Sequence, residues 1–184
     1  MSPYIQQFID AVSPNICWEL YPEYIEGFTE EQVNTYAKVL DIEINGAFRQ
    51  WLLTFGKCSG GLFTINDFNL YWHVNHVTSV LEQHSVNREW QIEIYEEGLI
   101  SEVQYRLKPY NLYRENEIDF YFILTKDPEL FVWFYTDSDD KTAINTGLTF
   151  NDFLKLKLSK LECAEGIWFG KNEVIAMSSS NVFK

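Results

Sequence analysis

The sequence predicts an α+β fold, a mainly antiparallel sheet flanked by helices in a single domain spanning residues 1–184. Three observations predict it. Apolar residues recur at helical spacing near both ends of the chain, aromatic and β-branched runs separated by turn residues lie between, and no linker, repeat or low-complexity stretch divides the chain. With 184 residues, 46% of them hydrophobic and 17% aromatic, the chain can build one sizeable core and lies outside the composition of disordered segments.

Ser2 before Pro3 reads as an N-cap with proline at the first helical position, leading into Tyr4, Ile5, Phe8, Ile9 and Val12 on one face. Ser13 and Pro14 end that helix. Ile16 to Ile25, interrupted by Pro22, reads as an irregular strap laying Trp18, Tyr21 and Tyr24 over the core. After Gly27, Thr29 and Gln32 form a capping box, Glu30 and Glu31 suit the positive end of the helix, and Val33, Tyr36, Ala37 and Leu40 give its buried stripe. Asn45 is placed to cap a second helix bearing Phe48, Trp51, Leu52 and Phe55, with Gly56 as its stop.

Cys58 to Gly61 reads as a turn before the apolar run Leu62, Phe63 and Ile65. Val74, Val77 and Leu81 suggest a helix between Leu70 and Glu82, and the chain from there to about residue 136 reads as β. Gln91 to Tyr95 alternates. Ile118 to Thr125 and Leu130 to Thr136 read as a hairpin turning through Lys126 to Glu129. A polar loop is expected from Asp137 to Gly147, then a helix capped by Thr149 with Asp152 and carrying Phe150, Phe153, Leu154, Leu158 and Leu161. Ile167 to Phe169 and Val174 to Met177 are expected as a final hairpin turning at Gly170, Lys171 and Asn172.

The net charge of -13 repels phosphate backbones and anionic lipid surfaces and attracts basic ones, so direct nucleic-acid binding is not expected. Residues 1–44 carry 1 basic and 8 acidic side chains, and residues 89–140 carry 4 and 13. Two readings of that imbalance stay open, a solvated face and a surface for a basic partner. Three widely spaced cysteines, Cys17, Cys58 and Cys163, form no obvious disulfide framework or Cys-x-x-Cys metal site, which points to a reducing compartment. Without a basic segment before an apolar run at the start, or ~20 consecutive apolar residues, a cytoplasmic protein with no membrane contact is expected.

Gly27-Phe28-Thr29-Glu30-Glu31-Gln32-Val33 resembles the opening of the SUKH superfamily domain, a glycine followed by a capped, acid-led helix. Leu40 to Ile44 stands where that family has Leu-Gly-Ile-x-Leu, and Phe48 to Gly56 resembles its Tyr-Arg-x-Phe-Leu-Leu helix. Asp127-Pro128, the loop Asp137 to Asp140, and Phe150-Asn151-Asp152-Phe153-Leu154 resemble its later strand, acidic turn and helix. The likeness covers residues 27–61 and 127–161; Asn45 and Gly46 replace the family's usual proline and acid, and residues 62–126 do not align. The resemblance implies a bacterial immunity protein that binds and neutralises a polymorphic toxin, of nuclease or deaminase type, in competition between bacteria. The alternative it implies is an intracellular regulatory scaffold, as in the yeast cell-wall synthesis regulators of the same family.

No catalytic residues are expected, and no cofactor. His73 and His76, with His84 nearby, could put two imidazoles on one helix side, but nothing completes a metal set. Cys58 with His73 or His76 is the one thiol and base pairing worth naming, and Gly60-Gly61 is too short to cradle phosphate. Asp137, Asp139 and Asp140 lack the spacing of a calcium loop. Toxin contacts are instead expected from Glu96, Glu97, Glu115, Glu117, Asp119, Asp137, Asp139 and Asp140, carboxylates standing in for the phosphates a basic toxin would otherwise contact. Tyr110, Tyr113 and Trp133 nearby read as core or sheet-face residues, and Tyr and Trp also suit interface anchors.

Overall fold

A computed structural model of the chain describes residues 1–63, 79–115, 118–137, 143–162, 169–179 and 182–183. Its elements are α1 (Pro3–Ile9), a 3-10 turn (Pro22–Tyr24), α2 (Glu30–Leu40), α3 (Gly46–Phe55), α4 (Val80–Glu96), α5 (Glu102–Arg106), β1 (Pro109–Arg114), β2 (Asp119–Leu124), β3 (Phe131–Thr136), β4 (Ile144–Thr149), α6 (Phe150–Ser159) and α7 (Lys171–Met177). The four strands form one antiparallel meander in the order β1-β2-β3-β4, so the fold is the α+β architecture expected from the sequence.

Local chemistry explains the helices read correctly. The Ser2 hydroxyl accepts from the Ile5 amide with Pro3 in the first turn, and Thr29 and Gln32 make both bonds of a capping box. Thr149 Oγ1 accepts from the Asp152 amide to start α6. Asn45 holds the N-cap position of α3, but its side chain makes no capping bond. Gly27 is required by close approach: a Cβ there would lie 1.8 Å from the Leu53 carbonyl oxygen of α3.

The sheet packs on both faces through β1, β2 and β3, while the edge strand β4 is mostly exposed. Tyr110, Leu112, Tyr113, Ile123 and Val132 join α1, α2, α3 and α6 in the larger core, where Phe8, Phe48, Trp51, Phe55 and Phe153 are almost wholly buried. Phe122, Leu124 and Tyr135 belong to a second core with Trp90 and Ile94 of α4 and Leu99 and Ile100 beyond it. Alternation along β2 and β3 sends successive side chains to the two cores. The register pairs Phe120 with Tyr135, Tyr121 with Phe134 and Phe122 with Trp133, a cross-strand aromatic ladder. A bulge between Asn111 and Tyr113 of β1 re-phases that strand, turning both Leu112 and Tyr113 toward the larger core. The edge strand β4 is blunted by its own chemistry: Gly147 has φ +72, its amide donates to Asn145 Oδ1, and the Leu148 amide donates to Thr146 Oγ1.

Several expectations are corrected. Gln91 to Tyr95 is not a strand but the interior of α4, which begins at Ser79, whose hydroxyl accepts from the Glu82 amide. The period was hidden because the inward stripe is polar over three turns: Gln83, Asn87 and Gln91 are buried alongside Trp90 and Ile94. Glu82 therefore opens a helix where the reading of 70–82 closed one; residues 70–78 lie outside the described residues, and Leu81 is exposed. The supposed final hairpin is α7 from Lys171 to Met177, one turn of which buries Val174, while 167 and 168 lie outside the described residues. Residues 144–147, expected in a loop, form most of β4. The strap buries Trp18, whose Nε1 donates to the Gly61 carbonyl, but leaves Tyr24 exposed.

Replacing Gly27 by Ala forces backbone against backbone and is expected to cost about 3 kcal/mol in urea unfolding. Gly98→Ala, where φ is +75 and no atom lies within 4 Å, is expected to cost about 1–2 kcal/mol. Equal losses for the two would contradict the packing assigned to Gly27.

Candidate functional site

The described carboxylates among the predicted partner contacts divide between the two faces of one end of the sheet. The Asp137 amide donates to the Ile118 carbonyl and the Glu115 amide to the Asp119 carbonyl, which brings the end of β1, the start of β2 and the end of β3 together at one end of the sheet. Glu117, Asp139 and Asp140 lie outside the described residues.

On the face toward α6, Glu115 is a structural partner. Its carboxylate accepts from Lys157 Nζ at 3.0 Å and from the Tyr121 hydroxyl at 2.9 Å. The Lys157 side chain is only 8% exposed. Its ammonium sits 4.4 Å from the Tyr113 ring centroid, 4.2 Å from that of Tyr121 and 5.6 Å from that of Phe153. Aromatic faces and one carboxylate together offset its desolvation. Burial alone would raise the Glu115 carboxyl, but the hydrogen bonds from Lys157 and Tyr121 outweigh it and hold the group below its ordinary value. Asp119 stands beside this pair, adding negative charge to Glu115 and Tyr121.

On the face toward α4, Glu96, Glu97 and Asp137 form an acidic corner with two carboxylates the sequence reading missed. Glu89, Glu93, Glu96 and Glu97 run at helical spacing along α4 and, with Ile92, line a shallow groove of about 340 Å³. Glu89, Glu93 and Glu96 have no ion pair among the described residues. Tyr135 marks where this stripe meets the sheet. Burial pushes its phenol up, the carboxylates of Glu93, Asp137 and Glu97 add to that push, and the hydrogen bond from Trp90 works against it. Trp90 Nε1 donates to the Tyr135 hydroxyl at 2.9 Å, and the Phe120 and Tyr135 rings stack 5.0 Å apart. Arg114 lies over Phe120 at 5.2 Å, at the margin of this aromatic floor.

The last turn of α4 contains no basic residue. Carboxylates there face the negative end of the helix dipole, an arrangement that costs stability unless a cation comes to it. A sequence signal for this stripe existed: Ser79 followed three residues later by Glu82 is a helix-start pattern, and it puts Glu89, Glu93, Glu96 and Glu97 on one side. Tyr110 and Tyr113 are core residues, and Trp133 is partly buried on the second core.

The remaining candidates are placed as follows. His73 and His76 lie outside the described residues, among which no cluster of His, Cys, Asp or Glu could hold a metal. The Cys58 thiol lies 3.7 Å from the Ser178 hydroxyl and accepts from the Gly60 amide. Single β-bridges join Cys58 to Glu26 and to Ser179, so this residue ties the strap to the C-terminal segment. Cys17 is disulfide-bonded, which corrects the expectation of unpaired cysteines. Among the described residues no helix is long and apolar enough to cross a membrane.

A carboxyl whose folded pKa is lowered contributes stability above its unfolded pKa, and that contribution is lost as pH falls through the folded value. Glu115→Gln is therefore expected to lower the melting temperature at neutral pH, with the gap to wild type closing toward pH of about 3. A gap independent of pH would place the Glu115 effect outside its ionisation. Compared with known protein families, curated proteins and solved structures, the chain matches none of them.

Proposed function

We propose that the protein is an immunity protein of SUKH type that neutralises a basic toxin by covering its active or substrate-binding surface. The observation that carries the reading is the acidic stripe on α4, four carboxylates around Ile92 in a shallow groove with no basic residue in the helix's last turn. Such a surface is complementary to the Lys and Arg side chains with which a nuclease or deaminase grips nucleic acid. Ile92 and the partly buried Phe120, whose ring stacks on the buried Tyr135, supply apolar area beside the charge. The mechanism is occlusion, with the protein's own groups performing no chemistry.

Steering by the field of the whole chain, at -13, would speed encounter, and carboxylates desolvated in the complex would slow its dissociation. We place that encounter in the cytoplasm. The disulfide at Cys17 pulls against this placement, because such bonds are rare in reducing compartments. Intact mass of protein taken from cells with thiols blocked decides it: a fully reduced chain supports the cytoplasm, and a chain lighter by two hydrogens contradicts it.

Copurification against a panel of basic nuclease and deaminase toxin domains tests the function itself. A cognate domain should be retained at low salt and inhibited, and no inhibited member would contradict the reading. Glu93→Lys with Glu96→Lys should lower the association rate about tenfold or more while leaving stability equal or raised by about 0.3–1 kcal/mol per site, since cations suit that helix end. Reversing Glu30 and Glu31 to Lys should do the opposite, weakening α2 through its first turn and the Glu30–Arg49 pair without slowing association. A Glu93/Glu96 reversal that binds at the wild-type rate would remove α4 from the interface.

A further inference from the structure

Away from the acidic corner, the strap and the start of α7 enclose a cleft of about 410 Å³ lined by Glu19, Tyr21, Phe169 and Gly170. A volume of this size suits a small organic group. Its lining combines two aromatic rings with one carboxylate, and the Tyr21 hydroxyl donates to Glu19 Oε2 at 3.3 Å, orienting that carboxylate. The Phe169 ring is itself braced edge-on against the buried Trp18, with centroids 6.3 Å apart. The walls therefore belong to a supported part of the fold.

The same strap already binds an ammonium. Lys171 Nζ lies 4.4 Å from the Tyr24 centroid and 5.0 Å from that of Tyr21, with the Glu23 carboxylate at 3.5 Å. Among the described residues, the ionised groups around the cleft are Glu19, Glu23, Lys171 and Glu173, the last with an oxygen beside Gly170. The balance is negative. An anion would meet two uncompensated carboxylates, whereas a cation with apolar substituents would find aromatic faces for its stem and Glu19 for its charge.

We infer that this cleft is a binding site for an organic cation, an alkylammonium or alkylguanidinium group. The inference does not rest on the toxin reading, because no residue of the cleft belongs to α4 or β3. The chemistry is shared by free amines and by Lys or Arg side chains of another protein.

Amide chemical shifts of Tyr21 and Gly170 in the whole protein provide the readout. Titration with n-butylguanidinium and n-butylammonium should shift both signals saturably, and n-pentanol and butanoate should not. Glu19→Gln should weaken the cations at least fivefold, and Tyr21→Leu should do the same while keeping the amide spectrum of a folded chain. An acetylated, amidated Gly-Arg-Gly peptide that binds more tightly than n-butylguanidinium assigns the site to protein side chains, and the reverse order assigns it to free cations. Equal response to n-pentanol, retained affinity in Glu19→Gln, or no saturable shift with either cation would each overturn the inference.

Discussion

The structure depends on a sheet whose two central strands are buried on both faces. β2 reads Asp-Phe-Tyr-Phe-Ile-Leu, with Tyr121 and Ile123 turned to one core and Phe122 and Leu124 to the other. Neither face could be left to solvent without exposing several aromatic rings, at about 25 cal/mol for each Å² of apolar surface. Helices must therefore cover both sides. α3 and α6 cover one, and the C-terminal half of α4 covers the other, with Gln91 Nε2 donating to the Pro109 carbonyl of the edge strand β1.

That requirement gives α4 two jobs with opposing demands. Its inner face runs from the larger core, where Gln83 Nε2 reaches the Tyr110 hydroxyl at 3.4 Å, to Trp90 and Ile94 in the second core. Along this path the side-chain oxygens of Gln83 and Asn87 are buried without a hydrogen-bond partner among the described residues, a cost of about 1–3 kcal/mol each. Its outer face carries carboxylates against the helix dipole. A helix selected for stability alone would carry apolar residues inside and Lys or Arg in its last turn. The departure at both faces is concentrated in the element proposed as the partner surface, a pattern that fits a competition between function and stability.

Much of the fold was legible because local and tertiary signals agree. The capping pairs Thr29–Gln32 and Thr149–Asp152, the stripe Phe48, Trp51, Leu52 and Phe55, and the hairpin of β2 and β3 follow from residue types at short range. α4 was not legible by hydrophobic period because its inward residues include Gln83, Asn87 and Gln91, and the alternation of Ile92 and Ile94 imitates a strand. α7 failed for a related reason: in seven residues one buried Val174 is too little to reveal a period. For the site, acidity in 89–140 was visible, but its partition was not. Only tertiary structure assigns Glu115 to the buried Lys157 and gathers Glu93, Glu97 and Asp137 around Tyr135.

Native-state amide hydrogen exchange tests the two-faced sheet most directly, because it reports whether the elements on its two sides open together. The amides of Phe120 to Leu124 in β2 and those of Trp90 to Ile94 in α4 should exchange slowly, with the same opening free energy and the same response to denaturant. Rapid exchange across 90–94 while β2 stays protected would show that α4 does not close the second face, and would contradict the account.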